Sequence, residues 1–352
     1  MMRKKLDALW SEGKNFLGTE LPILAGAMSW ISDSRFVASV CNHGAFGCLA
    51  AGNMPPKSLN EEICALKDLT DKPFGVNLIT IAPNYQDHLK VSLANHVPFV
   101  IFAGSYPRRP EIQVAKDAGT RVISFASTET LARRLIDTGV DALILEGSEA
   151  GGHVGHVSLG ILLQQVLFKV NDVPIFVAGG IAHGAYMTHL LLMGAAGIQM
   201  GTFFVMTDEC RTHQNFKQAF AKARAREAVS TPQISSDLKV IPVRALRNKG
   251  LDEFNQLQMD LIQKRKKRLI SHSEAQFEVE NYWTGALRRA VQDGDVERGS
   301  LMAGQSVGLV DRCQPLHEAL NRFLMEADAE LDRIKILCRT IGSSLKTQEK
   351  TD

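Results

Sequence analysis

The stretch that decides the fold runs from Pro174 to Phe204, PIFVAGGIAHGAYMTHLLLMGAAGIQMGTFF. It begins with an apolar run that ends in two glycines, continues through a helical pattern, and closes with a second apolar run. Continuous apolar runs, rather than alternating ones, are typical of parallel strands whose two faces are both covered. The stretch therefore predicts a strand, a helix and a second strand parallel to the first.

The same pattern recurs through the first part of the chain. Eight short apolar runs, each followed by a helical segment, occupy residues 22–28, 46–52, 73–79, 99–104, 121–127, 142–147, 174–180 and 197–204. Eight such units are the count of a (β/α)8 barrel, and a doubly wound open sheet is the alternative. Because the units are evenly spaced, the sequence predicts a closed α/β TIM barrel, with its chemistry at the C-terminal ends of the strands.

Capping residues support the helices between these runs. Asp33 is placed to cap a helix that ends near Gly44, and Ser127 or Thr128 is placed to cap one that stops at Gly139. Short polar side chains are preferred at helix N-termini, and glycine is preferred just past the C-terminus. The sequence therefore predicts helices over residues 33–44 and 127–141.

Composition excludes several classes of protein. The chain has 352 residues, 45% of them hydrophobic, and its 40 basic residues nearly balance 38 acidic ones, for a net charge of +2. This balance predicts neither nucleic acid nor a membrane surface as a partner. The basic run KRKKR at residues 264–268 suits an acidic partner, but a solvated helix face is the preferred interpretation.

Cysteine spacing and hydropathy predict a cytoplasmic protein. The cysteines at positions 41, 48, 64, 210, 313 and 338 form no Cys-x-x-Cys pair, as expected of reduced thiols. The first 18 residues, MMRKKLDALWSEGKNFLG, lack the apolar core of a secretory signal. No segment approaches the roughly 20 apolar residues that a membrane span needs.

Glycines at the ends of the last two runs predict a phosphate site. Gly179 and Gly180 end the seventh run, and Gly201 and Thr202 lie in the eighth. Glycine lets backbone amides approach an anion, and the loops after strands seven and eight form the usual phosphate site of a TIM barrel. The alternative is that these glycines only permit tight turns. Two such sites on adjacent strands favour a phosphate-bearing ligand.

Polar residues within or after other runs are further candidates for ligand contacts. Asn77 lies inside the third run and Glu146 ends the sixth, while small residues end the first run in AGAMSW, residues 25–30. A buried amide requires hydrogen-bond partners, which a ligand or the backbone can provide. These residues therefore predict a flat ligand above the barrel.

The stretch EGSEAGGHVGH, residues 146–156, follows the sixth run. Gly151 and Gly152 would let the chain pass close to a ligand, and His153 would point toward it. Three interpretations of His153 are open: an acid–base catalyst, a loop histidine bonded to backbone, or a metal ligand with His156. No further ligand spacing accompanies the two histidines, so no metal site is predicted.

At this point the sequence resembles a known family. PILAGAMSW, PFGVNL, EGSEAGGHVG, VAGGI and QMGTFF are similar to blocks of the nitronate monooxygenases, formerly 2-nitropropane dioxygenases, and the related type II enoyl-acyl-carrier-protein reductases share these blocks. The stretch GSLMAGQSVGLV, residues 299–310, is similar to a later block of both groups. The resemblance spans roughly residues 20–312, with the blocks in matching order.

The resemblance implies an FMN-dependent TIM barrel followed by a smaller, mainly helical domain. His153 matches the active-site histidine, and the FMN phosphate would lie on Gly180, Gly201 and Thr202, with Gln199 nearby. Positions matching cofactor contacts are Ala25, Gly26, Ala27, Met28, Asn77, Glu146, Gly151, Gly152, Gly179, Gly180, Gln199, Met200, Gly201 and Thr202.

The function that the resemblance implies first is oxidation of alkyl nitronates with O2 to carbonyl compounds and nitrite. The alternatives are an NAD(P)H-dependent enoyl-acyl-carrier-protein reductase, an NAD(P)H:quinone reductase, and a phosphate-ligand-binding barrel without redox activity. Glu146 bears on this choice, because several nitronate monooxygenases carry Gln at the matching position whereas the reductases often carry Glu. The expected partners are a small nitronate or enoyl substrate, O2, NAD(P)H and, as a further possibility, a second copy of the chain.

Together these patterns divide the chain into four segments. We predict an N-terminal helical extension over residues 1–20 and the FMN-binding barrel over residues 21–228. A smaller, mainly helical substrate or lid domain is predicted over residues 229–312. A C-terminal helix with a polar tail from residue 342 is predicted over residues 313–352.

Overall fold

The structure, a computed structural model, describes residues 4–235, 238 and 240–348. Eight parallel strands close into a barrel in chain order, with the last strand paired to the first, so the predicted TIM barrel is confirmed. The barrel strands are β1 Ile23–Ala25, β2 Phe46–Ala50, β3 Gly75–Ile79, β4 Phe99–Ala103, β5 Arg121–Phe125, β6 Ala142–Glu146, β8 Ile175–Ala178 and β9 Gly197–Met200, while β7 Gly152–His153 lies outside the barrel.

The helices surround the barrel and continue past it. They are α1 Lys4–Leu9, α2 Ser11–Leu17, α3 Ser34–Asn42, α4 Pro56–Leu69, α5 Tyr85–Ala94, α6 Arg109–Asp117, α7 Glu129–Thr138, α8 Leu159–Leu162, α9 Gly184–Leu192, α10 Thr202–Val205, α11 Gln214–Lys222, α12 Lys249–Lys266, α13 His272–Arg288 and α14 Leu316–Gln348. π-Helical turns extend α8 over Leu163–Leu167 and α13 over Arg289–Asp293.

Two of the predicted caps are confirmed. The Asp33 carboxylate accepts a hydrogen bond from the Phe36 amide at 2.8 Å at the start of α3, and the Thr128 hydroxyl accepts one from the Leu131 amide at 3.1 Å at the start of α7. Gly139 ends α7 in the left-handed region, with φ +104°. These local signals fix where the crossover helices begin and end.

The eighth predicted run is too long. Pairing of β9 with β1 stops at Met200 opposite Ala25, and the chain turns at Gly201 into the short helix α10. The prediction of a strand over residues 197–204 is therefore wrong for its second half. The apolar side chains of Phe203 and Phe204 are buried among the helices rather than in the sheet, so their hydrophobicity did not indicate a strand.

The barrel interior is a solid hydrophobic core. Its inward side chains include Leu24, Phe46, Cys48, Phe99, Ile101, Ile123, Ala142, Ile144, Phe176 and Ala178. At the N-terminal end of the barrel, Phe16 of α2 packs its ring 5.6 Å from that of Phe99. Because the interior is filled and one end is covered, a ligand has access at the C-terminal ends of the strands.

A second sheet lies beside the barrel mouth, which is the end of the barrel formed by the C-terminal ends of the strands. It consists of β10 Ala228–Ser230, β11 Val243–Leu246 and β7, all antiparallel, in the order β10-β11-β7. The strands β7 and β10 have only two and three residues, which is too short to show a pattern in the sequence. The helices α12 and α13 pack together over a separate core that includes Phe254 and Trp283, whose ring centroids are 4.1 Å apart.

The C-terminal helix α14 is anchored on α9. A methyl group added at Gly184 would lie 1.8 Å from the Phe323 carbonyl oxygen, so the two helices touch through their backbones. Residues 342–348 of the predicted polar tail continue α14, while residues 349–352 and residues 1–3 lie outside the described part of the chain. The predicted segment boundaries stay predictions.

No helix in the described part of the chain combines the length and the apolar character that crossing a membrane requires. All six cysteines are free thiols.

Candidate active site

Three polar side chains project into the barrel at its C-terminal end. Side chains alternate along a strand, and Ala142 and Ile144 of β6 face inward, so Glu146 does too. Asn77 of β3 pairs with the inward-facing Ile101. Gln199 of β9 pairs with the inward-facing Ala178. The mouth is therefore a polar layer on top of an apolar core.

These polar groups are only partly satisfied by the protein. The Asn77 amide, on a residue 8% exposed, donates one long hydrogen bond of 3.4 Å to the Ile101 carbonyl oxygen. No side-chain hydrogen bond to Glu146 or Gln199 occurs within the described residues, and the Gln199 side chain lies 3.2 Å from the position of a methyl group added at Gly26. Since buried polar groups require partners, the layer fits a flat ligand with a polar edge.

Burial raises the pKa of Glu146 to about 8. A carboxyl group removed from water without a cation beside it favours its neutral form. At neutral pH, Glu146 therefore presents an O–H donor and a carbonyl acceptor toward the mouth. This is the same pair of functions that a glutamine amide presents, so a neutral Glu146 makes the Glu and Gln variants of this position alike in hydrogen bonding.

We expect Glu146→Gln to stabilise the flavin-free protein at pH 8 but not at pH 4. The folded-state pKa of about 8 lies above the ordinary 4.5. The wild-type protein therefore loses stability as the pH rises from 4.5 toward 8, because the unfolded chain releases a proton that the folded chain keeps. At about 1.4 kcal/mol per pKa unit, Glu146→Gln should raise the free energy of unfolding at pH 8 by roughly 3–5 kcal/mol. Urea unfolding at both pH values measures it; an equal effect of Glu146→Gln at both would contradict the assignment.

Backbone amides after β8 and β9 form a cradle for an anion. Gly179 and Gly180 adopt φ +102° and +71°, which a residue with a side chain rarely adopts. In the described part of the chain, no backbone acceptor is found for the amides of Gly180, Ile181, Gly201 or Thr202. A methyl group added at Gly201 would touch only the Met28 sulfur, at 3.7 Å. Free amides beside open space on adjacent strands fit a phosphate.

Thr202 has a second role that the sequence did not indicate. Its hydroxyl oxygen accepts a buried hydrogen bond of 3.0 Å from the Gly304 amide. The hydroxyl proton is left to donate, so a phosphate contact by Thr202 stays a prediction. The same bond ties the segment around Gly304 to the barrel mouth.

Gly151 lies against the MAGQ block, residues 302–305. A methyl group added there would lie 2.5 Å from the Gly304 nitrogen, so this glycine provides clearance for residues 303–304, and its contact with a ligand stays a prediction. The Gln305 amide also donates to the Glu149 carbonyl oxygen at 2.9 Å. Residues 302–305, the MAGQ block, are therefore held against the loop after β6 by these contacts.

Two other candidate residues face away from the mouth. The side chains of Ala25 and Met200 are buried in the layer between the barrel and its helices, so only their backbone atoms are available to a ligand. Ala27 packs on the inner core, and Met28 lies beside Gly201, at the junction of β1 and β9. The first-strand residues and the cradle are thus adjacent.

His153 is held at the edge of the second sheet. It pairs with Val243 of β11, and the Val154 amide donates to the Pro242 carbonyl oxygen at 2.9 Å. Its side chain is 41% exposed, and its Nε2 lies 3.5 Å from a carboxylate oxygen of Glu280 on α13. A partly exposed imidazole at the mouth, on an ordered backbone, suits proton transfer.

Three polar residues near the C-terminal ends of the strands were not predicted from the sequence. The Leu159 amide donates one hydrogen bond that is shared between the two carboxylate oxygens of Glu149, at 3.0 and 3.3 Å. Arg244 donates to the Ser148 and Ala228 carbonyl oxygens at 2.8 and 2.6 Å, and burial lowers its pKa. Glu280 pairs with His153. Arg244 lies 96 residues from Ser148, and Glu280 lies more than 100 residues from His153, so no local pattern could indicate these two contacts.

No group of three or more His, Cys, Asp or Glu side chains in the described residues is arranged to hold a metal ion.

Comparison with known proteins identifies relatives across most of the chain. A family model described as nitronate monooxygenase matches residues 11–90 and 78–326. FabK from Thermotoga maritima superposes with a TM-score of 0.81 at 35% identity, over 92% of this chain and 97% of that chain. A nitroalkane oxidase from Streptomyces ansochromogenes superposes with a TM-score of 0.76 at 28% identity, over 92% and 99% of the two chains.

One curated relative is named as a dehydrogenase of a coenzyme A thioester. The protein from Mycobacterium tuberculosis named (3aS,4S,5R,7aS)-5-hydroxy-7a-methyl-1-oxo-octahydro-1H-indene-4-carboxyl-CoA dehydrogenase is 28% identical over 348 residues, which cover 91% of this chain and 97% of the relative. Its name gives a substrate linked to coenzyme A.

Proposed function

The chain belongs to the nitronate monooxygenase family and is an enzymatic oxidoreductase, and from that premise we propose that it is an FMN-dependent reductase that uses NAD(P)H to reduce enoyl thioesters. The observation that carries this proposal is the charge around the mouth. Glu146 is partly buried and neutral at neutral pH, and Glu149 and Glu280 are acidic. An anionic nitronate would approach this acidic surface, whereas the enoyl group of a thioester is uncharged.

Arg244 is a cation at the mouth and lies close enough to Glu149 for the two charges to interact. The guanidinium group of Arg244 is already committed to the carbonyl oxygens of Ser148 and Ala228. Its hydrogen bonds hold the loop after β6 against the second sheet, so they position His153 rather than a substrate anion. The mouth therefore favours a neutral reacting group.

Each site residue has a role in this proposal. FMN, when bound, would accept hydride from NAD(P)H and pass it to the substrate. Asn77, Glu146 and Gln199 would hydrogen-bond the polar edge of the ring, and the amides near Gly180 and Gly201 would hold the phosphate. His153 would hydrogen-bond the thioester carbonyl or deliver the proton that completes reduction of the double bond.

The relatives support the same substrate class. FabK is a type II enoyl-acyl-carrier-protein reductase, and the mycobacterial relative is named for a coenzyme A thioester. Nitronate oxidation is the second candidate, because the family model and the nitroalkane oxidase structure both favour it. In that reaction, His153 would hold the nitronate, and O2 would be the second substrate.

A paired assay on the flavin-loaded enzyme separates the two reactions. We expect anaerobic NADPH or NADH oxidation that depends on trans-2-octenoyl-CoA, and little oxygen uptake with propionate 3-nitronate in the absence of a nicotinamide cofactor. Nitronate-dependent oxygen uptake without NAD(P)H, together with no enoyl-dependent NAD(P)H oxidation, would overturn the proposal in favour of the second candidate. A protein that binds no FMN would instead support the phosphate-binding barrel.

A further inference from the structure

We infer that Glu280 is the positioning residue for His153: it accepts the Nε2 proton and turns Nδ1 toward the substrate, so that Nδ1 donates its proton from the imidazolium form and is left as the acceptor of the neutral Nε2–H tautomer. The inference rests on the proposed function in taking His153 as the acid–base group, but the tautomer itself does not depend on the substrate. The observation behind it is the 3.5 Å approach of Glu280 to Nε2.

The backbone of His153 is fixed, but its ring is not fixed by the sheet. Pairing with Val243 and the hydrogen bond from Val154 to Pro242 hold the main chain on both sides of the residue. Within the described residues, the Glu280 carboxylate is the one polar side chain in contact with the ring. Because the partner of one ring nitrogen decides which nitrogen carries the proton, Glu280 sets the tautomer.

The helix that carries Glu280 is held rigidly. A capping box starts α13, in which the Ser271 hydroxyl accepts from the Glu274 amide at 3.1 Å and the Glu274 carboxylate accepts from the Ser271 amide at 2.7 Å. The adjoining face of the helix is buried through Ala275, Val279 and Trp283. A side chain on such a helix is presented in a defined place.

A second contact fixes α13 over the mouth. The Trp30 indole, in the loop after β1, donates a 3.2 Å hydrogen bond to the Thr284 carbonyl oxygen. Glu280 and Thr284 are four residues apart, so they lie on the same face of the helix. This face therefore reaches the barrel-side loops at two points, His153 and Trp30.

The other charged groups near His153 have different partners. Glu149 accepts from the Leu159 amide, and Arg244 donates to two carbonyl oxygens. Glu146 points into the barrel from β6. Glu280 is consequently the carboxylate placed to orient the imidazole, as carboxylates orient catalytic histidines in other enzymes.

The test combines histidine NMR with kinetics on the flavin-loaded enzyme. The variants are Glu280→Leu, which removes the acceptor, Glu280→Gln, which keeps an acceptor oxygen, and Glu278→Leu, an exposed position on the same helix, as a control. ¹⁵N-histidine spectra, recorded where the ring is neutral and assigned with a His153→Gln variant, report the tautomer directly.

We expect the Nε2–H tautomer alone in the wild-type enzyme, Glu280→Gln and Glu278→Leu, and a mixture of the two tautomers in Glu280→Leu, because that variant has no acceptor to hold the Nε2 proton. We also expect Glu280→Leu to lower kcat by roughly 10- to 100-fold with little change in KM or FMN content. An unchanged His153 spectrum in Glu280→Leu would overturn the inference. Because the spectrum needs no substrate, a wrong substrate class would leave this result standing.

Discussion

Replacing His153 by alanine should lower kcat by roughly 100- to 10,000-fold, the range that loss of a general acid or base usually costs. The ring is 41% exposed at the mouth and makes no contact within the hydrophobic core, so its removal should leave the fold intact. FMN content should also be retained, because the cradle residues Gly180 and Gly201 lie on other strand ends. Steady-state kinetics and the flavin spectrum measure the two effects separately.

His156→Ala is the matched control. This exposed histidine lies three residues further along the same loop, and its side chain forms no hydrogen bond or ion pair within the described residues. We expect the His156→Ala enzyme to turn over like the wild type. A His153→Ala enzyme that keeps its FMN and its full kcat would remove His153 from the mechanism.

Gly201→Asp should abolish FMN binding without harming the fold. A side chain at Gly201 enters open space, with only the Met28 sulfur within 4 Å, and the backbone there has φ −117°, which any residue can adopt. The new carboxylate would occupy the phosphate position and repel the phosphate. A buried contact between two negative charges that costs about 3 kcal/mol lowers the affinity for FMN by about 100-fold. Titration of the apoprotein with FMN measures the loss.

Gly160→Asp serves as the control for Gly201→Asp, since an added side chain at Gly160 meets nothing within 4 Å on the exposed face of α8. Both variants should unfold at the wild-type temperature in the absence of flavin. Unchanged FMN affinity in Gly201→Asp would place the phosphate elsewhere. A lowered melting temperature confined to that variant would show that the space near Gly201 is not open.

The barrel could be predicted from the sequence because its determinants are local. Each unit carries its own apolar run, helix cap and terminal glycine, as Asp33, Thr128 and Gly139 illustrate. The eighth run was overextended because buried helical residues such as Phe203 are as apolar as strand residues. Hydrophobicity alone does not separate a short strand from a buried helix.

The candidate site could be predicted best for residues that lie within the strands, near their C-terminal ends. Asn77, Glu146 and Gln199 lie together at the mouth because parallel strands bring their C-terminal ends to one edge of the barrel. The contact of Gly151 with Gly304 and that of His153 with Glu280 join segments more than 100 residues apart. Contacts of this kind depend on how the second sheet and α13 pack, which no local pattern encodes.

The most direct test of the proposed reaction is an anaerobic half-reaction experiment on the flavin-loaded enzyme. NAD(P)H is added to bleach the flavin absorbance, and trans-2-octenoyl-CoA is then added in the absence of oxygen. The proposal predicts that the absorbance is lost with NAD(P)H and returns stoichiometrically with the enoyl thioester, while butyryl-CoA, which lacks the double bond, does not restore it. Flavin that stays oxidised with both NADH and NADPH, or that stays reduced after the enoyl thioester is added, would contradict it.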